Sequence, residues 1–168
     1  FNTDTMFDMY GGNIRGNYAV DHRSGWTGAG VYVSSSRCRF TMYGGSISDN
    51  RGHGVSVVEG ATFTMNGGSI TNNTMSGSSG AGVVNCGTVV MNKGLISKNS
   101  ITDGDGGGAG VHNGPAVLNA KYQKPVFEMR GGEISENTTT TAGSGGGISN
   151  LDAICTIISG SICRNQAG

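Results

Sequence analysis

Proline occurs only twice in 168 residues, tryptophan once, and charged residues make up 13% of the chain. Each shortage removes a class of protein. So little proline, with no strict three-residue glycine period, excludes a collagen triple helix. The charges balance at 11 basic against 11 acidic with no basic run, so the electrostatic footprint of a nucleic-acid or anionic-membrane binder is missing. Long apolar runs are missing too. Residues 61–92 carry no charge, but Gly, Ser, Asn and Thr interrupt them throughout, which excludes a membrane-crossing helix and leaves no direct membrane insertion. The chain starts at Phe1 without a basic or apolar leader, and any targeting information is expected to have been removed or to lie outside it.

Glycine is what the chain has in excess, 32 of 168 residues, against an average near 7%. A glycine inside a helix costs about 1 kcal/mol relative to alanine, so an ordinary helical domain is excluded. Disorder is excluded by the 35% of hydrophobic residues, because they are placed periodically.

One pattern, aromatic-x-Met-x-Gly-Gly-x-Ile-x-x-Asn, runs through the whole sequence. It is read at Phe7, Met9, Ile14 and Asn17; at Phe40, Met42, Ile47 and Asn50; and at Phe63, Met65, Ile70 and Asn73. A degenerate copy has Val89, Met91, Ile96 and Asn99, a clean one Phe127, Met129, Ile134 and Asn137, and a drifting one Cys155, Ile157, Ile162 and Asn165. Between copies lies Gly-x-Gly-(Val/Ile), ending at Val31, Val55, Val83, Val111 and Ile148, and completed in the last three by Asn85, Asn113 and Asn150.

Consecutive motif asparagines are 33, 23, 26, 38 and 28 residues apart. The apolar positions alternate in runs of three to five bounded by Gly and Asn, which is strand patterning and not the 3.6 spacing of a helix. A unit of about three short strands with insertions of variable length is one coil of a parallel β-helix. The chain is therefore expected to be all-β: a single β-helix domain over residues 1–168, about six coils, and a fragment of a longer solenoid. Coils stacked about 4.8 Å apart place like residues in columns. Phe, Met, Ile and Val columns would fill the interior, and the asparagine column Asn17, Asn50, Asn73, Asn99, Asn137 and Asn165 would bond along a corner of the wall.

These motifs resemble the right-handed parallel β-helix repeats of bacterial surface proteins, the adhesin-like and polymorphic outer-membrane type with a pectate-lyase-like fold. The resemblance covers six partial coils. It implies an extracellular protein, at the cell surface or secreted, and the hand of the coil follows from it together with the general crossover rule. Function does not follow from such a fold, which carries lyases, glycosidases and plain adhesive stalks alike.

Polysaccharide cleavage needs two carboxylates within roughly 5 to 10 Å or several oxygen ligands around one ion. The two outward columns of the Phe/Met strand read Asp8, Thr41, Thr64, Val90, Glu128, Thr156 and Tyr10, Tyr43, Asn66, Asn92, Arg130, Ile158. No two acids adjoin in either column. Asp103 and Asp105 form a weak calcium-loop candidate without further ligands, so Ca²⁺ is the only cofactor in view and none is expected. His22, His53 and His112 have no ligand-spaced partners and are read as surface or rim residues. Cys38, Cys86, Cys155 and Cys163 show no pair at bridging separation and are read as free. The Ser and Thr residues at 48, 71, 97 and 135 are too irregular a column for ice binding.

Insertions between the asparagine column and Gly-x-Gly, at 18–27, 51, 74–79, 100–107 and 138–144, leave one corner as loops. The first holds Tyr18, Asp21, His22, Arg23 and Trp26, side chains suited to a sugar or protein contact patch. The leading expectation is a non-enzymatic scaffold of a surface or secreted adhesin-like protein, presenting loops to a glycan or a host or cell-surface protein. Flanking coils of the same chain, or end-to-end self-association, are expected at its ends. The alternative is a polysaccharide lyase or glycoside hydrolase whose active wall lies partly outside the segment.

Overall fold

The structure is a computed structural model and describes residues 4–19, 28–115, 123–139 and 143–168. Among these residues there are twenty strands of two to six residues and no helix. Every paired strand is parallel to its partner; strands inside each sheet pair with the coils before and after them, and those at a sheet's ends with one. The molecule is a parallel β-helix of six stacked coils, as the repeat predicts.

Four walls run along it. The first comprises Thr5–Met9, Cys38–Met42, Thr62–Met65, Thr88–Met91, Val126–Met129 and Ile154–Ile157. Its register joins Phe7, Phe40, Phe63, Val89, Phe127 and Cys155 in one column and Met9, Met42, Met65, Met91, Met129 and Ile157 in another. Phe40 stacks on Phe7 at 4.8 Å and on Phe63 at 4.9 Å between ring centroids. The second wall places Ile14, Ile47, Ile70, Ile96, Ile134 and Ile162 in register. The fourth does the same for Val31, Val55, Val83, Val111 and Ile148. Inside the stack these side chains are fully buried, from Phe40 through Ile134, each contributing about 1.5 to 3 kcal/mol of transfer free energy.

A third wall lies where the sequence reads as loops. Thr74–Ser76, Ser100–Asp103 and Thr138–Thr139 pair in parallel, and single bridges extend the row from Tyr18 to Arg51 to Thr74 and from Thr138 to Gln166. The insertions at 74–79, 100–107 and 138–144 therefore begin as strands, and Met75 and Ile101 face inward to build a second small core with Ala81 and Ala109. Only a two-residue apolar alternation marks this wall in the sequence, too short to be distinguished from a loop.

The asparagine column is a continuous hydrogen-bonded ladder. Each Nδ2 donates to the Oδ1 of the next rung, from Asn17 to Asn50 at 2.9 Å through to Asn137 to Asn165 at 2.9 Å. From the second rung on, the same Nδ2 also donates to the isoleucine carbonyl of the preceding coil. One amide thus bridges three coils and satisfies a corner backbone acceptor that water cannot reach. The residue before each rung is left-handed: Gly16, Asp49, Asn72, Lys98, Glu136 and Arg164, all with φ between 54° and 68°. Glycine is demanded one strand further on, where a Cβ on Gly82 would meet Asn99 Nδ2 at 2.9 Å and the Gly110 carbonyl oxygen at 2.5 Å.

A second ladder joins Asn85, Asn113 and Asn150, with Nδ2 to Oδ1 distances of 2.7 Å at both steps. The three asparagines complete the Gly-x-Gly motif in the sequence, but their column begins with Val33 and Val57, which hides it from a search for a full repeat.

Candidate functional site

Of the sequence-derived contact patch, Asp21, His22, Arg23 and Trp26 lie outside the described residues. Tyr18 is described. It forms the first rung of the third wall and is 59% exposed. Because that wall is in register, Tyr18 sits one rung from Arg51 and two from Thr74. These residues, with Ser76 and Thr102, line an open cleft of about 420 Å³.

The lining offers a phenol ring, a guanidinium and three hydroxyls. An aromatic body with fixed polar donors around it suits the apolar face and hydroxyl rim of a sugar. The sequence reading puts residues 51, 74–79 and 100–107 at the corner of Tyr18 but singles out none of Arg51, Thr74, Ser76 and Thr102, which lie one or three places after the ladder asparagines of three coils. A second open cleft, about 320 Å³, lies at the corner between the fourth and first walls, with Asp4, Arg37, Arg39 and Thr62 on its sides. Gly60 also lines it, with φ 76°, and a Cβ there would come within 2.6 Å of that of Ser36.

All four described tyrosines are exposed, and all belong to the first two coils. Tyr10 and Tyr43 stack at 4.8 Å with planes 4° apart, and Asn92 donates to Asn66 at 2.8 Å further along the same column.

The acidic groups are arranged differently. Arg130 makes two bonds to the Glu128 carboxylate, at 2.8 and 3.1 Å, and this hydrogen bonding holds Glu128 below the usual carboxylate range. Glu133 is lowered as well, chiefly by the Ser135 hydroxyl and then by the Arg164 charge, with Arg164 at 2.9 Å. A general acid needs the opposite shift. Asp103 and Asp105 are exposed, and Asp103 Oδ1 accepts the Gly104 amide at 2.9 Å. Among the described residues no three His, Cys, Asp or Glu side chains converge on a point where a metal ion could sit.

The histidines differ from the sequence reading. His53 and His112 are buried, His53 with Nδ1 on the Gly80 carbonyl at 2.8 Å, because their strands face a covered part of the fourth wall. His22 lies outside the described residues. Burial pulls the His112 pKa down to about 4. The four cysteines are free, as expected, with Cys86 buried. Ser48, Ser97 and Ser135 are buried at the corner and present no hydroxyl array to solvent. No family model, curated protein or solved structure matches the chain.

Proposed function

We propose that the chain is a non-enzymatic extracellular β-helix of a bacterial surface or secreted adhesin-like protein, a rigid scaffold that contacts glycans from its first coils. The observation that carries this reading is the cleft of Tyr18, Arg51, Thr74, Ser76 and Thr102 on a wall held rigid by in-register pairing. Of the two partner classes the sequence leaves open, a glycan is favoured. The lining is hydroxyl-rich, carries one cation and lacks the apolar centre that dominates protein contact sites. The extracellular placement rests on the resemblance of the repeat to bacterial surface β-helices.

The test is a panel of immobilised plant, host and bacterial polysaccharides, read both for retention and for soluble products. Retention of uncleaved glycan, weakened at least tenfold by Tyr18→Ala or Arg51→Ala with unchanged circular dichroism, is the expected result. Release of oligosaccharides would reject the scaffold reading in favour of a lyase or hydrolase.

A further inference from the structure

The charges of the third wall change sign along it, and the middle coils carry the pattern. Arg51 lies between Tyr18 and Thr74, and Thr74–Ser76 and Ser100–Asp103 pair in succession up to Thr138–Thr139. Arg51 is the cation of the cleft described above, and no carboxylate lines it. Its side chain is exposed and joins none of the five ion pairs among the described residues, whereas Lys98, Lys124, Arg130 and Arg164 each hold a carboxylate of the chain. The acid nearest to it in sequence, Asp49, accepts the Ser48 hydroxyl at 2.7 Å instead. A guanidinium left open in this way presents parallel N–H donors that match the two coplanar oxygens of a carboxylate.

Beyond Arg51 the lining turns to hydroxyls. Thr74 shares its column one coil on, about 4.8 Å away, and Ser76 follows two residues along the strand, about 6.6 Å from Thr74. A bulge between Ile101 and Asp103 takes Thr102 out of register, and bulges re-aim side chains in this way. Thr102 Oγ1 donates to the Met75 carbonyl at 3.4 Å and lines the same cleft. Past the hydroxyls the sign reverses: Asp103 pairs in register with Ser76, and both it and Asp105 are exposed. A polymer charged at every unit would gain one ion pair at Arg51 and meet like charge at Asp103. A neutral saccharide would leave the guanidinium without a counter-charge.

We infer that the cleft takes a glycan in which one carboxylate-bearing sugar adjoins neutral sugars. Arg51 holds the carboxylate, and Thr74, Ser76 and Thr102 hydrogen-bond the hydroxyls of the neutral units. Asp103 and Asp105 turn away a second acid. This inference rests on the glycan reading above and names the sugar class within it.

Calorimetric titration with sialyllactose, lactose and polygalacturonate tests it. Sialyllactose should bind at least about tenfold more tightly than lactose, the worth of one charge-assisted hydrogen bond, and polygalacturonate no more tightly than lactose. Arg51→Gln, with unchanged circular dichroism, should bring sialyllactose down to the affinity of lactose and leave lactose within about twofold of wild type. Asp103→Asn should strengthen polygalacturonate binding at low salt and leave lactose as it was. Equal binding of sialyllactose and lactose, an unchanged preference in Arg51→Gln, or polygalacturonate bound as tightly as sialyllactose would each overturn the inference. The glycan reading itself would survive those results, since it rests on retention of any glycan on the immobilised panel. Failure to bind all three ligands while the panel retains the chain would overturn this inference alone, and loss of retention on the panel as well would overturn both.

Discussion

In the column just before the glycine pairs, the first two coils stack Tyr10 on Tyr43 and the next two hydrogen-bond Asn92 to Asn66, while the fifth carries Arg130, paired with Glu128. The same change runs through the molecule. Valines hold the second-ladder column in coils one and two, asparagines from Asn85 onward. The five ion pairs among the described residues all join side chains from Lys98 to Arg164. The interior columns, by contrast, stay apolar throughout: isoleucine in all six coils, methionine in the first five before Ile157, and phenylalanine in all but Val89 and Cys155. Register is thus set by the core, and the device that lines an outer column is exchangeable between apolar stacking, amide chains and ions.

The comparison can be broken most severely through the ladder that both halves share. Asn99→Ala leaves the Ile70 carbonyl and the Asn73 amide without their buried partners, a loss of about 4 kcal/mol. In a chain of this length that lowers the melting temperature by on the order of 10 °C, read by circular dichroism. Asn113→Ala, on the ladder confined to the later coils, should cost about half as much.

Next in size is the pH dependence of the later half. His112 is buried neutral with its pKa near 4 against 6.5 in the unfolded chain, so between those values the unfolded state binds the extra proton. Stability is complete above pH 6.5 and falls by about 3 kcal/mol as the pH drops to 4. Ser56 occupies the same column two coils earlier, and His112→Ser should flatten the melting profile over that window. An unchanged profile would assign the acid sensitivity elsewhere.

Asn85→Val extends the valine of Val57 by one coil. It should cost about 2 kcal/mol: Asn113 keeps its bonds to Asn150 and the Ile154 carbonyl, but the donors to the Val126 carbonyl and to Asn113 are lost and the buried Gly87 amide loses its acceptor. The smallest effects concern the left-handed corner. Asp49→Gly relieves a φ of 57° but takes away the carboxylate that accepts the Ser48 hydroxyl at 2.7 Å, so the two effects should cancel to within about 1 kcal/mol. Glu136→Gly relieves the same strain and loses only exposed pairs with Lys98 and Arg164, each worth a few tenths of a kcal/mol, so its melting temperature should rise by at least as much.

Legibility in the sequence followed the same division. The Phe, Met, Ile and first asparagine columns can be read directly, because one residue type in a column is what identical stacked environments select. The second ladder was half visible, since Val33 and Val57 meet the same packing demand with different chemistry. The third wall was hidden because a strand of two or three residues leaves no period. Tyr18 stands out by residue type, but the cleft beside it does not, since Arg51, Thr74, Ser76 and Thr102 are ordinary surface residues until pairing assembles them. The left-handed corner could be suspected at Gly16, Asp49 and Asn72, residues that tolerate it, but not at Lys98, Glu136 or Arg164. The hand of the coil rests on the resemblance of the repeat and a general crossover rule, and on no single residue.

The ladder rung also makes the solenoid tolerant of cargo. Each rung fixes its coil through one amide and ignores how much chain lies between it and the next, whether 23 residues from Asn50 to Asn73 or 38 from Asn99 to Asn137. Loop-closure entropy grows only with the logarithm of length, so a peptide or small domain spliced between rungs would leave the stack's spacing untouched. The coil is a cassette, and its payload can change while the rod that carries it stays the same.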